Sequence, residues 1–167
     1  LMVSPTGWPA DPRREALGLL LQLGPSAKPT VPALVRALQD PRLQRETLDV
    51  LSVIGPGAGS AVDAVLGLLA NPRVSDCVHV FNTLKAIGSP TQATLGAAAR
   101  VIDEHPDLYV KVTAAGFVVG MFPPDQSIPE FERLLTRPSI PTRVAAARGL
   151  ERIGSPAARS IPAIAAA

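Results

Sequence analysis

Hydrophobic residues fall into short helical stripes that recur about every 33 residues along this chain. Each recurrence contains a glycine, at Gly24, Gly55, Gly88 and Gly154, followed within two residues by a proline. These glycines are 31, 33 and 66 residues apart, so one of the series is missing at position 121, which is Met121. A unit of this length cannot bury its apolar face alone, and five such units are therefore expected to stack into one array.

Two apolar stripes flank each glycine position. The first stripe lies one, four and seven residues before the glycine position. The residues seven positions before it are Leu17, Leu48, Phe81, Ala114 and Ala147. The second stripe lies seven, ten and fourteen residues after the glycine position. The residues seven positions after it are Val31, Val62, Leu95, Ile128 and Ile161. Because steps of three and four residues share one helical face, each unit is predicted to contain two helices. Phe81, Phe117 and Phe131 fall on these stripes and are expected in the core.

Glycine and proline positions set the predicted helix boundaries. Glycine is expected to end each first helix with a left-handed conformation. Pro32, Pro129 and Pro162 are expected in the first turn of a second helix, where the missing N–H costs nothing. First helices are predicted near residues 13–23, 42–54, 73–87, 107–121 and 142–153, and second helices near 30–39, 60–70, 92–104, 127–136 and 158–166.

The units occupy one domain over residues 11–167 and span about 11–40, 41–71, 72–105, 106–137 and 138–167. Residues 1–10 are predicted to form an N-terminal loop or the end of a preceding unit.

The units resemble HEAT repeats, specifically the short bacterial type related to phycobilisome lyase repeats. The fifth unit carries the resemblance best, and its matching residues are Arg143, Ala146, Leu150, Ile153, Gly154, Ile161 and Pro162. The first is close, with Asp11, Pro12, Arg13, Ala16, Leu20, Leu23, Gly24, Val31 and Pro32. The resemblance implies an all-α fold, a right-handed α-α superhelix or solenoid of about five antiparallel helix pairs. The fourth unit departs most, with Gly120-Met121-Phe122 followed by two prolines, and a distorted helix end is expected there.

Composition changes this picture little. A net charge of +2 predicts no strong electrostatic field, and 47% hydrophobic residues exclude a disordered chain. The single cysteine, Cys77, excludes an internal disulfide and a cysteine-based zinc site, and its helical context predicts a buried thiol.

The ends and the apolar runs of the sequence bear on its location. No signal peptide is visible and no run of 18 apolar residues occurs, so no membrane insertion and, by default, a cytoplasmic location are expected. The chain has the features of a piece of a longer protein, and self-association through its apolar ends is expected.

No catalytic, metal-binding or cofactor-binding residue is predicted, so the chain is expected not to be an enzyme. Deoxyhypusine hydroxylases resemble HEAT arrays with His-Glu pairs as iron ligands, but neither His79 nor His105 is followed by glutamate. Phycobilin lyases would need an aromatic-lined pocket, and aromatic residues make up only 4% of this chain.

Three exposed arginines are the candidate binding residues. Arg36, Arg100 and Arg133 lie twelve residues after a glycine position, with Gly67 interrupting the series. In arrays that resemble HEAT repeats the second helices line the concave surface, so these arginines would form a row suited to an acidic peptide or a phosphate group. The alternative is local ion pairing, of Arg100 with Asp103 or Glu104 and of Arg133 with Glu130.

The predicted function is a non-enzymatic scaffold that binds a protein or peptide on the concave second-helix face, and the arginine row suits an acidic partner. Nucleic-acid binding is a less favoured alternative, suggested by five arginines against one glutamate in residues 137–167. An accessory role of the lyase or hydroxylase type is the third.

Overall fold

A computed structural model describes residues 11–69, 77–88 and 90–165, and these residues form helices and turns without a strand. The predicted all-α class is therefore confirmed. The first helices are α1 (Pro12–Leu23), α3 (Gln44–Ile54), α5 (Cys77–Ile87), α7 (Leu108–Met121) and α9 (Ile140–Ile153). The second helices are α2 (Val31–Ala37), α4 (Val62–Leu68), α6 (Gln92–Glu104), α8 (Pro124–Leu135) and α10 (Ile161–Ala165). The predictions for residues 1–10, for 73–76 at the start of the third unit, and for the Ile164 side chain lie outside the described residues.

Short 3-10 helices precede α2, α4 and α10, and the sequence pattern did not predict them. They span Gly24–Thr30, Gly55–Ala61 and Ser155–Ser160. Each begins at or beside the unit's glycine and has proline in its first turn. Bonds such as Ala157 N to Gly154 O, at 2.8 Å, satisfy backbone groups at the helix end. These segments are the reason that α2 and α4 begin one or two residues later than predicted.

The four unit glycines are the only described residues with positive φ, but the predicted left-handed helical conformation is wrong for Gly24, Gly55 and Gly154. Gly55 has φ 65° and ψ −136°, and Gly24 and Gly154 are similar. This is the mirror image of the extended region rather than the left-handed helical region, and it is open to glycine but strained for residues with a Cβ. The first helices α1, α3 and α9 therefore depend on glycine to leave the helix in this direction.

Replacing Gly55 with alanine is expected to lower the free energy of unfolding by about 2 kcal/mol. A Cβ at this position would lie 3.7 Å from the Ala86 carbonyl oxygen, an ordinary contact, so the cost comes from φ alone. Urea unfolding followed by circular dichroism measures the change. Gly18→Ala is the control, because Gly18 lies inside α1 with open space around it, and it should stabilise by up to about 1 kcal/mol. Equal stability of the two variants would contradict the role of φ.

The fourth unit ends its first helix without glycine. The expected distortion of this helix end is wrong. Phe122 N donates to Val118 O at 2.9 Å, and Phe122 then adopts extended backbone angles that any residue can take. Without a 3-10 segment, α8 begins as early as Pro124. The prediction that Pro129 lies in the first turn of a second helix is therefore wrong, since Pro129 is inside α8, whereas Pro32 is in the first turn of α2 as predicted.

The helices pack in chain order. Each first helix contacts the first helix of the next unit, and each of α2, α4, α6 and α8 contacts the first helix that follows it. Most stripe residues are buried between them, including Phe81, Phe117 and Phe131. The prediction that Leu23 and Ile161 belong to buried stripes is wrong, since their side chains are 56% and 61% exposed. They lie in the first and last units, where described helices pack on one side only.

Polar side chains on first helices cap the ends of the preceding second helices. Gln44 Nε2 donates to Leu38 O after α2 at 2.9 Å. Arg143, the equivalent residue eleven positions before Gly154, donates to the carbonyls of residues 137 and 138 after α8 at 3.0 and 2.9 Å. Lys111 does the same at the end of α6. These bonds satisfy carbonyl groups that a helix end leaves without partners, and they join one unit to the next.

One helical run among the described residues, Gln44–Leu68, is long and apolar enough by length and composition to cross a membrane, with a mean hydropathy of 1.4. Its backbone turns at Gly55, so the run consists of α3, a 3-10 segment and α4 rather than one straight helix. Core helices of proteins outside membranes meet the same criterion, and 39% of this window is buried inside the protein. The run is therefore weak evidence of a membrane span.

Candidate functional site

An open groove lies along the second helices α6 and α8 and contains two of the three predicted arginines. Arg100 on α6 and Arg133 on α8 both line it, and its volume is about 640 Å³. Thr91 begins α6 by accepting a hydrogen bond from Thr94 N at 3.2 Å, and this cap sets the direction of the helix. Four small residues of α6 also line the groove, namely Ala93, Gly96, Ala97 and Ala99. They leave room for a partner's backbone to approach the helix.

The two groove arginines differ in their partners. Arg133 Nε donates to Glu130 Oε1 at 3.1 Å, so the local ion pair expected there is confirmed. Hydrogen bonding to Glu130 raises the pKa of Arg133 above its ordinary value. Arg100 is exposed and forms no ion pair with any described residue, so the alternative pairing with Asp103 or Glu104 is wrong.

Asp103 pairs with an arginine of the next unit instead of with Arg100. Arg137 Nε donates to Asp103 Oδ1 at 3.0 Å, and a second nitrogen of the same guanidinium completes the ion pair. This hydrogen bond raises the pKa of Arg137. Periodicity along α6 could not indicate this, because the competing arginine is 34 residues away. Among the described residues that line the groove, Arg100 is therefore the one cation without an ion pair, and the carboxylate of Glu104 is one helical turn away.

The structure does not bring Arg36 to this groove. Arg36 is exposed on α2, as the pattern predicted, but no residue of α2 lines the groove. Gly67 in the second unit offers no side chain to continue the row. The predicted row of three arginines thus consists, in the described residues, of one adjacent pair and one separate residue.

The arginines of the last unit are partly used inside the fold. Arg137 is held by Asp103, and Arg143 donates to the carbonyls of residues 137 and 138. Fewer of the five arginines in residues 137–167 are therefore available to phosphate than their number suggests. Three carboxylates, those of Asp103, Glu104 and Glu130, also line the groove.

The histidines and the cysteine have structural environments. His105 Nδ1 accepts the backbone N–H of Asp107 at 3.1 Å just before α7, and His79 Nε2 lies 3.9 Å from Asp49 Oδ1. Cys77 is a buried thiol, as predicted. Within the described residues, no three His, Cys, Asp or Glu side chains come together as metal ligands would.

The sequence pattern missed two exposed cations on the first helices, Lys85 and Arg152, which line a separate pocket with Tyr109. Lys85 lies three residues before Gly88 and Arg152 two residues before Gly154. Counting exposed positions on the first helices as well as the second would have indicated them.

No protein-family model matches this chain, and no curated protein or solved structure is significantly similar to it. The resemblance to HEAT repeats therefore stays a prediction from the residues themselves.

Proposed function

We propose that this chain is a HEAT-like right-handed superhelix of five helix pairs that binds a protein or peptide along its second helices. The observation that carries the proposal is the open groove between α6 and α8, which places Arg100 and Arg133 beside small residues. Contacts that follow the order of the chain support a stacked array. The chain acts in this proposal as a scaffold without catalysis.

The charges in the groove define the partner more narrowly than an acidic peptide. Arg133 is already neutralised by Glu130, so among the described lining residues Arg100 is the cation free to meet a partner's carboxylate. Glu104, four residues further along α6, is exposed, and its Cβ lies roughly 6 Å from that of Arg100. It would meet a basic side chain of the same partner. A segment with one acidic and one basic side chain, and small residues between them, fits this arrangement best.

A random peptide library displayed on phage and selected on this protein tests the proposal. We expect the selected peptides to carry an acidic residue and to lose affinity by at least about tenfold on Arg100→Glu, since reversing the charge removes the pair and adds repulsion. Arg133→Glu should weaken binding less. Fluorescence anisotropy of a labelled selected peptide measures both effects.

Arg45→Glu is the matched control, because Arg45 is an exposed arginine on the first helix α3 with the same change of charge. It should leave peptide affinity within about twofold, and circular dichroism should be unchanged for all variants. Peptides whose binding is unaffected by Arg100→Glu would contradict the proposed groove. Binding of duplex DNA that weakens steeply with salt would instead support the nucleic-acid alternative.

A further inference from the structure

A second concave surface lies on the first helices α5, α7 and α9. This pocket has a volume of about 370 Å³ and lies on a different helix layer from the groove of α6 and α8. Its size falls within the roughly 300–1,000 Å³ that is typical of small-molecule sites. It does not depend on the function proposed above.

Two cations reach over α7 from the helices on either side. A methyl group placed on Gly116 would lie 3.4 Å from Arg152 Nη1, and one placed on Gly120 would lie 3.9 Å from Lys85 Nζ. Residues four apart share one face of a helix, so the guanidinium of α9 and the ammonium of α5 lie above neighbouring turns of α7. Both distances are ordinary van der Waals contacts, so each cationic group lies directly over a glycine of α7.

No described residue of the protein neutralises either cation. No acidic residue is among the described residues that line the pocket. Lys85 and Arg152 form no ion pair with any described side chain. Two like charges on one surface without a counter-charge repel each other, and a bound anion would remove that repulsion while accepting hydrogen bonds from both.

The rest of the pocket is aromatic and uncharged. Phe81 and Phe117 lie at its floor with their ring centroids 4.9 Å apart, and Tyr109 is 70% exposed at its edge. Asn82 and Thr113 add an amide and a hydroxyl. A flat apolar ligand could lie against Tyr109, since aromatic rings favour stacked or edge-to-face contacts.

We propose that this pocket binds a small organic anion of the aryl phosphate type. The phosphate lies between Lys85 and Arg152, and the aromatic ring contacts Tyr109 and the edge of Phe117. Both cations supply charge-assisted hydrogen bonds, and Arg152 offers the fork of donors that matches phosphate oxygens.

Titration of the ¹⁵N-labelled protein with phenyl phosphate tests the site by nuclear magnetic resonance. We expect saturable shifts of the Gly116 and Gly120 amide signals, with a dissociation constant of about 1 mM for so small a ligand. Lys85→Gln and Arg152→Gln should each weaken binding by about tenfold. Inorganic phosphate and benzyl alcohol, which each lack one half of the ligand, should bind at least tenfold more weakly.

Lys28→Gln is the matched control, because Lys28 is an exposed lysine whose side chain also lies on a glycine, with Cδ 3.2 Å from a methyl placed on Gly57. It should leave phenyl phosphate binding unchanged. The proposal is overturned if the two glycine signals do not shift, if both glutamine variants bind as the unchanged protein does, or if benzyl alcohol binds equally well. A glycine-flanked phosphotyrosine peptide that binds more tightly than phenyl phosphate assigns the aryl phosphate to a partner chain, and weaker binding assigns it to a free ligand.

Discussion

Replacing Lys111 with methionine is expected to lower the free energy of unfolding by about 3 kcal/mol, since hydrogen bonds to a buried charged group are each worth roughly 1.5–3 kcal/mol and are not additive. Lys111 is only 3% exposed. Its Nζ donates to the carbonyls of Ile102 and Asp103 at 2.6 and 2.8 Å and to Thr142 Oγ1 at 2.9 Å. All three N–H groups of the ammonium therefore have a partner inside the protein. Methionine is one atom shorter than lysine, so it fills most of the same space and removes the ammonium group with its charge and its donors.

The position of this ammonium explains why it can be buried. The carbonyls of Ile102 and Asp103 belong to the last turn of α6, where the helix has no N–H groups left to satisfy them and where positive charge is favoured. Burial lowers the pKa of Lys111 from its ordinary 10.5, and the charges of Asp103 and Glu104 oppose that change. Desolvation is thus the main cost of placing the ammonium here, and the hydrogen bonds at the helix end offset it.

Urea unfolding of Lys111→Met and of Lys28→Met tests this prediction. Lys28 is exposed, so its replacement should change stability by less than about 0.5 kcal/mol. Thr142→Val removes one of the three acceptors and should cost about 1–2 kcal/mol. The double variant should cost less than the sum of the two single ones, because both act on the same hydrogen bond. Two single variants that add fully would contradict a shared network of α6, α7 and α9.

The helices and most of the core followed from the sequence because both depend on local periodicity. Leu17, Leu48 and Phe81 share one stripe position, and all three are buried. The role of Lys111 could not be predicted in this way. Its main partners are backbone carbonyls, which have no signature in the sequence, and Thr142 is 31 residues away. The 3-10 segments were missed because a proline two residues after a helix predicts a turn without specifying its length.

For the candidate site, the sequence could predict which side chains are exposed but not which partners they have. Helical periodicity placed Arg100 and Arg133 on an exposed face, and both line one groove. It could not show that Arg137 binds Asp103 and so leaves Arg100 free, since that contact joins two units. The same limit applies to Lys85 and Arg152, which belong to different units and line one pocket because each lies over a glycine of α7, at Gly120 and Gly116.

Replacing Gly149 with alanine is expected to cost about 2 kcal/mol, although alanine favours a helix over glycine by up to about 1 kcal/mol. Gly149 lies inside α9, and the Phe131 ring of α8 points directly at it. A Cβ on Gly149 would lie 2.5, 2.6 and 2.8 Å from three carbons at the tip of that ring, where carbon atoms normally approach to roughly 3.5–4.0 Å. Phe131 is fully buried, so its ring cannot move into solvent. The contact between α8 and α9 must therefore open or the ring must leave its preferred rotamer.

A double-mutant cycle with Phe131→Leu separates this overpacking from any effect on α9 alone. Leucine lacks the three ring atoms that Cβ would meet, so Gly149→Ala should cost little or stabilise in the Phe131→Leu background, by up to about 1 kcal/mol. Gly96→Ala is the control for helix propensity, because Gly96 lies inside α6 with nothing within 4 Å of a Cβ, and it should stabilise. Amide hydrogen exchange should show the loss in Gly149→Ala concentrated in α8 and α9, since the altered contact joins these two helices. If the cost of Gly149→Ala is the same with phenylalanine or leucine at position 131, the ring does not set the spacing of α8 and α9.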